Sequence, residues 1–251
     1  MMRTISDLHQ LIENDFLLRQ VHELVAARFA REKSPDPGHD LAHFLRVAFW
    51  ALNIGSELPE RVDPREAVIA ALLHDVVPVP KNSPLRNEAS RLCAEEAEKI
   101  LAPLGLETDA IARISEAIRC HSFSRGETAK SPLAKALQDA DRLEALGSIG
   151  IMRCISTGAR MGAEYFQSED PWATSRELDD RAFSVDHFFT KLLKLPATMT
   201  TEPGRREAIR RAGIMRDFLI SLGEELAQPV TDSRLPKLSP DPIPRSGARR
   251  L

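Results

Sequence analysis

His74 and Asp75 interrupt an apolar run, AALLHDVVPV, residues 70–79. An ionisable pair among residues that otherwise read as core is costly to bury without hydrogen-bonded or charged compensation. Two further positions share this property. His43, in GHDLAHFLRV, has Val47, Trp50 and Ile54 at helical spacing, and Asp141, in KALQDADRLEALG, lies four residues after Leu137. Helical periodicity turns these two imidazoles and two carboxylates inward from three separate helices. That donor set suits a hard-to-borderline divalent ion held octahedrally, with positions left for water or substrate. Taken singly, each residue has a plainer explanation: a hydrogen-bonded core histidine, or an aspartate cap. The combination is what points to a metal.

The elements that must carry these residues are almost all helical. Strand-like alternation is nearly absent, and helix starts are marked by Asp63-Pro64 with Glu66 three residues on, by Ser131-Pro132, by Ser83-Pro84 and by Asp170-Pro171. The pattern predicts helices over about 4–31, 39–56, 64–76, 87–102, 108–122, 132–147, 149–157, 177–194 and 203–227. The expected fold is an all-α, bundle-like single domain over 1–227, with its metal core at about 39–147 and C-terminal helices at 149–227. From Gln228 the chain holds five prolines, several basic residues and little to bury, so 228–251 reads as a flexible tail.

Composition narrows the function classes. The chain has 251 residues, 43% of them hydrophobic, which suffices for a sizeable core. A formal net charge of −3 argues against nucleic acid as a partner, although the basic end PRSGARRL offers weak phosphate contacts. Cys93, Cys120 and Cys154 are scattered, without the spacing of a zinc site or a disulfide framework. The start MMRTISDLHQ lacks an apolar signal region, and no apolar run approaches the roughly 18 residues of a membrane span. The expectation is a cytoplasmic protein without membrane partners, of open oligomeric state.

His43, then the HD of LLHD, then Asp141 in DADRLEALG resemble the H…HD…D signature of the HD-domain superfamily of metal-dependent phosphohydrolases. In order, GHDLAHFLRV, AALLHDV, HSFSRG, QDADRLEALGSIGIMR and DHFFTKLLKLP are similar to a subgroup of small stand-alone bacterial HD hydrolases, over about residues 15–225. The resemblance implies metal ligands at His43, His74, Asp75 and Asp141, with Asp139 supporting them or at the surface. It implies a divalent ion, one of Mn, Mg, Fe, Co or Ni, that acidifies water and polarises a phosphoryl oxygen. Only His121 lies between the HD pair and Asp141 as a further histidine, which favours one ion per site. His121 is then an extra ligand, a phosphate contact or a proton donor to the leaving group.

Charge developing on phosphate needs cationic donors. Lys81, Asn82, Arg86 and Arg91 follow the HD pair and are the first candidates, with Arg142 and Lys191 behind them. Asp75, His121 and Lys81 are the expected catalytic groups. Glu144, three residues past Asp141, is a candidate to orient a ligand or a water, or else a surface pairing group. Asp40 reads as a group that orients His43 or a metal water, or else as an N-terminal helix group, and His39 as a structural group or a substrate contact. By the resemblance, Asp186, His187 or Lys191 reach a pocket mouth. Trp50 and Trp172 read as core or lid packing.

The expected activity is hydrolysis of a small phosphorylated molecule, a nucleotide, at a phosphomonoester or diphosphate bond. The alternatives are a di-iron HD-type oxygenase, which the shortage of histidines disfavours, and a catalytically silent metal- or nucleotide-binding signalling module, which intact ligand positions disfavour.

Overall fold

In a computed structural model of the protein, the described residues are 2–31, 40–79, 83, 85–122, 128–231, 234 and 235, Arg86 by its backbone alone. Among them the fold is all-α, with ten α-helices. The one β feature is a single parallel bridge between Glu164 and Phe183. The chain divides into two compact units, 1–144 and 145–251.

The first unit holds α1 (Ile5–Asn14), α2 (Phe16–Phe29), α3 (Leu41–Glu57), α4 (Pro64–Leu73), α5 (Ala89–Leu101), α6 (Thr108–Cys120) and α7 (Pro132–Leu143). The expected single helix over 4–31 is two helices. Asp15 accepts from the amides of Leu17 and Leu18 (3.0 and 3.2 Å), so its carboxylate starts a new helix instead of continuing the old one. Asp63 caps α4 through Arg65 and Glu66, with Pro64 in the first turn. The reciprocal half of the expected capping box does not form, because the Glu66 carboxylate is engaged by Arg113. Ser131 caps α7 by accepting from Ala134.

Every residue of α4 from Ala67 to Leu73 is buried, and the helix packs against α2, α3, α5, α6 and α7. A helix that is apolar all round is stable only at the centre of a bundle. Its C-terminal end, where His74 and Asp75 lie, is therefore delivered into the middle of the unit. Phe44, Val47, Ala48, Ala51 and Ile54 form the buried face of α3.

The second unit holds α8 (Gly147–Arg160), α9 (Asp186–Thr190) and α10 (Glu202–Glu225). Ala208, Ala212, Met215 and Leu219 form the buried stripe of α10, which packs against α8. The helix expected over 177–194 is replaced by irregular chain, the five-residue α9 and a 3-10 turn, Leu192–Thr198. Asp186 is the reason. It is fully buried, held by Arg176 at 2.6 and 2.9 Å and by the Asp179 amide at 2.7 Å. These bonds fold residues 176–185 back on α9 in place of a continuous helical ladder. Nor does a helix follow Asp170. Its carboxylate closes a loop by accepting from the amides and hydroxyls of Thr174 and Ser175, all at 2.8 Å.

The first residues of the expected tail are placed. Trp172 donates its indole N–H to the Gln228 carbonyl at 2.6 Å, Arg234 donates to the Ala173 carbonyl, and Leu235 is buried. Residues 236–251 lie outside the described residues.

Candidate metal centre

Four helix ends of the first unit supply the site. His43 is in the first turn of α3, His74 caps the C-terminus of α4 with Asp75 after it, His121 caps the C-terminus of α6, and Asp141 is in the last turn of α7. His43, His74 and His121 are buried, while the side chains of Asp75 and Asp141 are 22% and 30% exposed. The site thus has a buried imidazole floor and a carboxylate rim open to solvent.

Local chemistry sets the direction of each ring. The last carbonyls of a helix have no partner within it. The Nδ1–H of His74 donates to the Ala71 carbonyl at 2.7 Å, and the Nδ1–H of His121 to that of Ile118 at 2.6 Å. A carbonyl only accepts, so both rings carry a proton on Nδ1 and turn Nε2 toward the interior. The Nδ1 of His43 faces Glu144 Oε2 at 3.3 Å, which turns its Nε2 inward too.

The inward nitrogens meet carboxylate oxygens. His43 Nε2 lies 3.8 Å from Asp141 Oδ1, and His74 Nε2 lies 3.7 Å from the same atom and 3.9 Å from Asp75 Oδ2. His121 Nε2 is 3.6 Å from Asp75 Oδ1. All these separations exceed hydrogen-bond length. Two overlapping groups, His43–His74–Asp141 and His74–Asp75–His121, each keep their ligand atoms within 4.8 Å.

Burial lowers the pKa of His74 from 6.5 to about 4, against the opposing pull of Asp75 and Asp141. The neutral ring therefore aims a nitrogen lone pair at two carboxylates. Its Nε2 has no hydrogen-bond partner among the described residues. Lone pair facing carboxylate in a buried setting is unfavourable unless a cation lies between them. The donor set fits a divalent ion, two or three imidazole nitrogens and two carboxylate oxygens.

Burial disfavours charge on His121 as well, but the negative charges of Asp75 and Asp141 and the bond to the Ile118 carbonyl outweigh it and raise its pKa. For Asp141, burial is overcome by the three histidines, which hold its carboxyl below the usual range. Burial lowers Arg142, opposed by Asp139 and Asp141.

The structure brings His43, His74, Asp75, Asp141 and His121 together. Glu144 is not a surface group; it is buried and bonded to Arg46 and His43. Asp139 is fully buried, which removes the surface alternative. Asp40 is the N-cap of α3, accepting from the His43 amide at 2.8 Å. Arg91 is paired along α5 with Glu88 and Glu95. Lys81, Asn82, His39 and the side chain of Arg86 lie outside the described residues. In the second unit Lys191 is exposed, His187 pairs with Asp180 at 2.9 Å, and Trp172 is buried. Sequence reasoning missed Arg46, although its place three residues after His43 on one helix face was a usable signal.

Likenesses to known proteins accompany this geometry. Residues 40–146 match the family model described as the HD domain. The chain is 34% identical over 194 residues to YpgQ of Bacillus subtilis strain 168, an alignment covering 75% of this chain and 85% of that protein. The crystal structure of Bacillus subtilis YpgQ in complex with ADP matches with a TM-score of 0.62 and 29% identity, over 82% of this chain and 96% of that one. That of an HD-superfamily hydrolase from Bacillus thuringiensis matches with a TM-score of 0.64 and 27% identity, over 88% of this chain and 99% of that one.

Proposed function

The chain belongs to the HD-domain superfamily, and from that footing we propose that it is a divalent-metal-dependent phosphohydrolase acting on a nucleotide. The bond opened is a phosphomonoester or a diphosphate. The observation that carries this reading is the neutral, inward Nε2 of His74 set against Asp75 and Asp141 at 3.9 and 3.7 Å. The nucleotide assignment draws on the ADP complex of YpgQ.

His43, His74, Asp75 and Asp141 would hold the ion. When bound, it supplies Lewis acidity that lowers the pKa of water and stabilises charge on a phosphoryl group. The two ligand groups share His74, whose Nδ1 is already committed to Ala71. Its single remaining lone pair serves one ion, so we assign one ion per site. The histidine floor positions the carboxylates and excludes water from below, while the open rim admits the phosphate. His121, with its proton favoured by Asp75, is the proposed donor of a proton to the leaving oxygen. Lys81, Asn82 and Arg86, which follow the HD pair in the sequence, with Arg142, are the proposed phosphate contacts.

The test is release of phosphate and diphosphate from nucleoside mono-, di- and triphosphates, with and without Mn2+, beside Asp75→Ala. Metal-dependent turnover that the variant loses is expected. Turnover that persists in the variant, or that needs no metal, would overturn the assignment.

A further inference from the structure

Three histidines present Nε2 to the centre, but they are held in two different ways. His74 and His121 sit at helix C-termini, where carbonyls without helical partners accept their Nδ1 protons. His43 is in the first turn of α3, where the free groups are amides and the nearby Asp40 carbonyl already accepts from the amides of His43 and Phe44. A histidine there needs a side-chain acceptor from another element.

We propose that Glu144, clamped by Arg46, is the positioning residue that fixes His43 as the Nδ1–H form with Nε2 presented to the metal. This rests on the metal-centre part of the proposed function. Glu144 Oε2 faces His43 Nδ1 at 3.3 Å and accepts from Arg46 Nε and Nη2 at 2.9 and 2.8 Å. A carboxylate in this state only accepts, so the His43 proton lies on Nδ1. His43 and Arg46 are one turn apart on α3, while Glu144 comes directly after α7, three residues after Asp141. The clamp thus ties together the two packed helices that carry His43 and Asp141.

Glu144 is 1% exposed, and a lone buried carboxylate would be costly. Arg46, whose side chain is 28% exposed, compensates it at 2.8 Å. Removing such an outer carboxylate costs 10- to 100-fold in metal affinity in comparable sites.

The experiment has two arms on the full chain. Long-range 1H–15N spectra of the metal-free wild type, with His43 assigned by its loss in His43→Gln, read the tautomer directly; a proton on Nδ1 is expected. Mn2+ titration followed by electron paramagnetic resonance reads affinity. Glu144→Leu is expected to weaken Mn2+ binding by about 10- to 100-fold. Glu144→Gln, whose amide oxygen still accepts, is expected to fall between it and wild type. A merely structural role would lower the melting temperature of the metal-free protein and leave the Mn2+ affinity of the folded variant unchanged. A His43 proton on Nε2, or wild-type affinity in Glu144→Leu, would overturn the proposal alone. A wild type that binds no Mn2+ would overturn the metal reading and this inference together.

Discussion

His74 donates its Nδ1 proton to the carbonyl of Ala71, one turn back, at 2.7 Å. That one bond decides what the rest of the ring does. With Nδ1 occupied and charge disfavoured by burial, the only chemistry left to His74 is a lone pair on Nε2. Asp75 and Asp141 stand opposite that lone pair at 3.9 and 3.7 Å. The proposed metal binding, and the cost of leaving that ion out, both follow from this arrangement.

The metal-free protein is expected to lose stability as pH falls below the ordinary histidine range. The unfolded chain binds a proton on His74 near pH 6.5, whereas the folded chain, with its pKa depressed to about 4, does so only further down. Protonation therefore favours the unfolded state across that window; the stabilisation is complete above it and lost through it. The group contributes on the order of 3 kcal/mol. Asp141 and Glu144, both held below the usual carboxylate range, act in the same direction at lower pH. His121, shifted upward, acts oppositely: its contribution is complete below its unfolded pKa and fades as pH rises through the folded one. Urea midpoints in the presence of a chelator, measured between about pH 7.5 and 5, are expected to fall. A flat or rising profile would show that His121 offsets His74 or that the folded protein carries the proton on His74; repeating the series in His121→Gln separates the two.

Asp75→Ala is expected to remove metal binding and hydrolysis while far-ultraviolet circular dichroism stays unchanged. Asp75 lies past the end of α4 with its side chain partly exposed, so the helix itself does not depend on that side chain. Metal content by mass spectrometry, read beside turnover, checks both halves. A variant that keeps its metal would move the ligand set to His43, His74 and Asp141.

The parts of the fold and site that were legible in sequence are those set by local chemistry. Asp63-Pro64 marks α4, and the apolar run after it can only be a central helix. His43, His74, Asp75 and Asp141 are inward by periodicity, and the structure places them together. What failed was periodicity without regard to local hydrogen bonding. Asp15 lies in an unbroken helical pattern but accepts from the amides ahead of it and splits the helix. Phe188, Leu192 and Leu195 have helical spacing, yet Asp186 draws Arg176 and the Asp179 amide back onto itself. The Arg46–Glu144–His43 clamp joins residues about a hundred positions apart, which no local rule connects.

Gln138 supports His121 from α7, and its removal is expected to be felt at the end of α6. Its Nε2 donates to the Cys120 carbonyl at 2.9 Å in a buried setting, directly before His121. Gln138→Leu removes that donor at a cost of about 1–3 kcal/mol. Urea unfolding measures the loss. A change under about 0.5 kcal/mol would show that water or another donor replaces the amide.

Truncation separates the contribution of residues 228–235 from that of residues 236–251. A chain ended after Leu235 keeps Gln228 against Trp172 and Ser168, Arg234 against the Ala173 carbonyl, and the buried Leu235 side chain. A chain ended after Ala227 loses all of these. Burying one leucine contributes about 1.5–3 kcal/mol, and a net hydrogen bond about 1 kcal/mol. The shorter chain is therefore expected to melt several degrees below the longer one, with a rise in tryptophan solvent exposure as the Trp172 indole N–H loses its carbonyl. Equal melting temperatures would mean that residues 228–235 pack too weakly to stabilise the second unit.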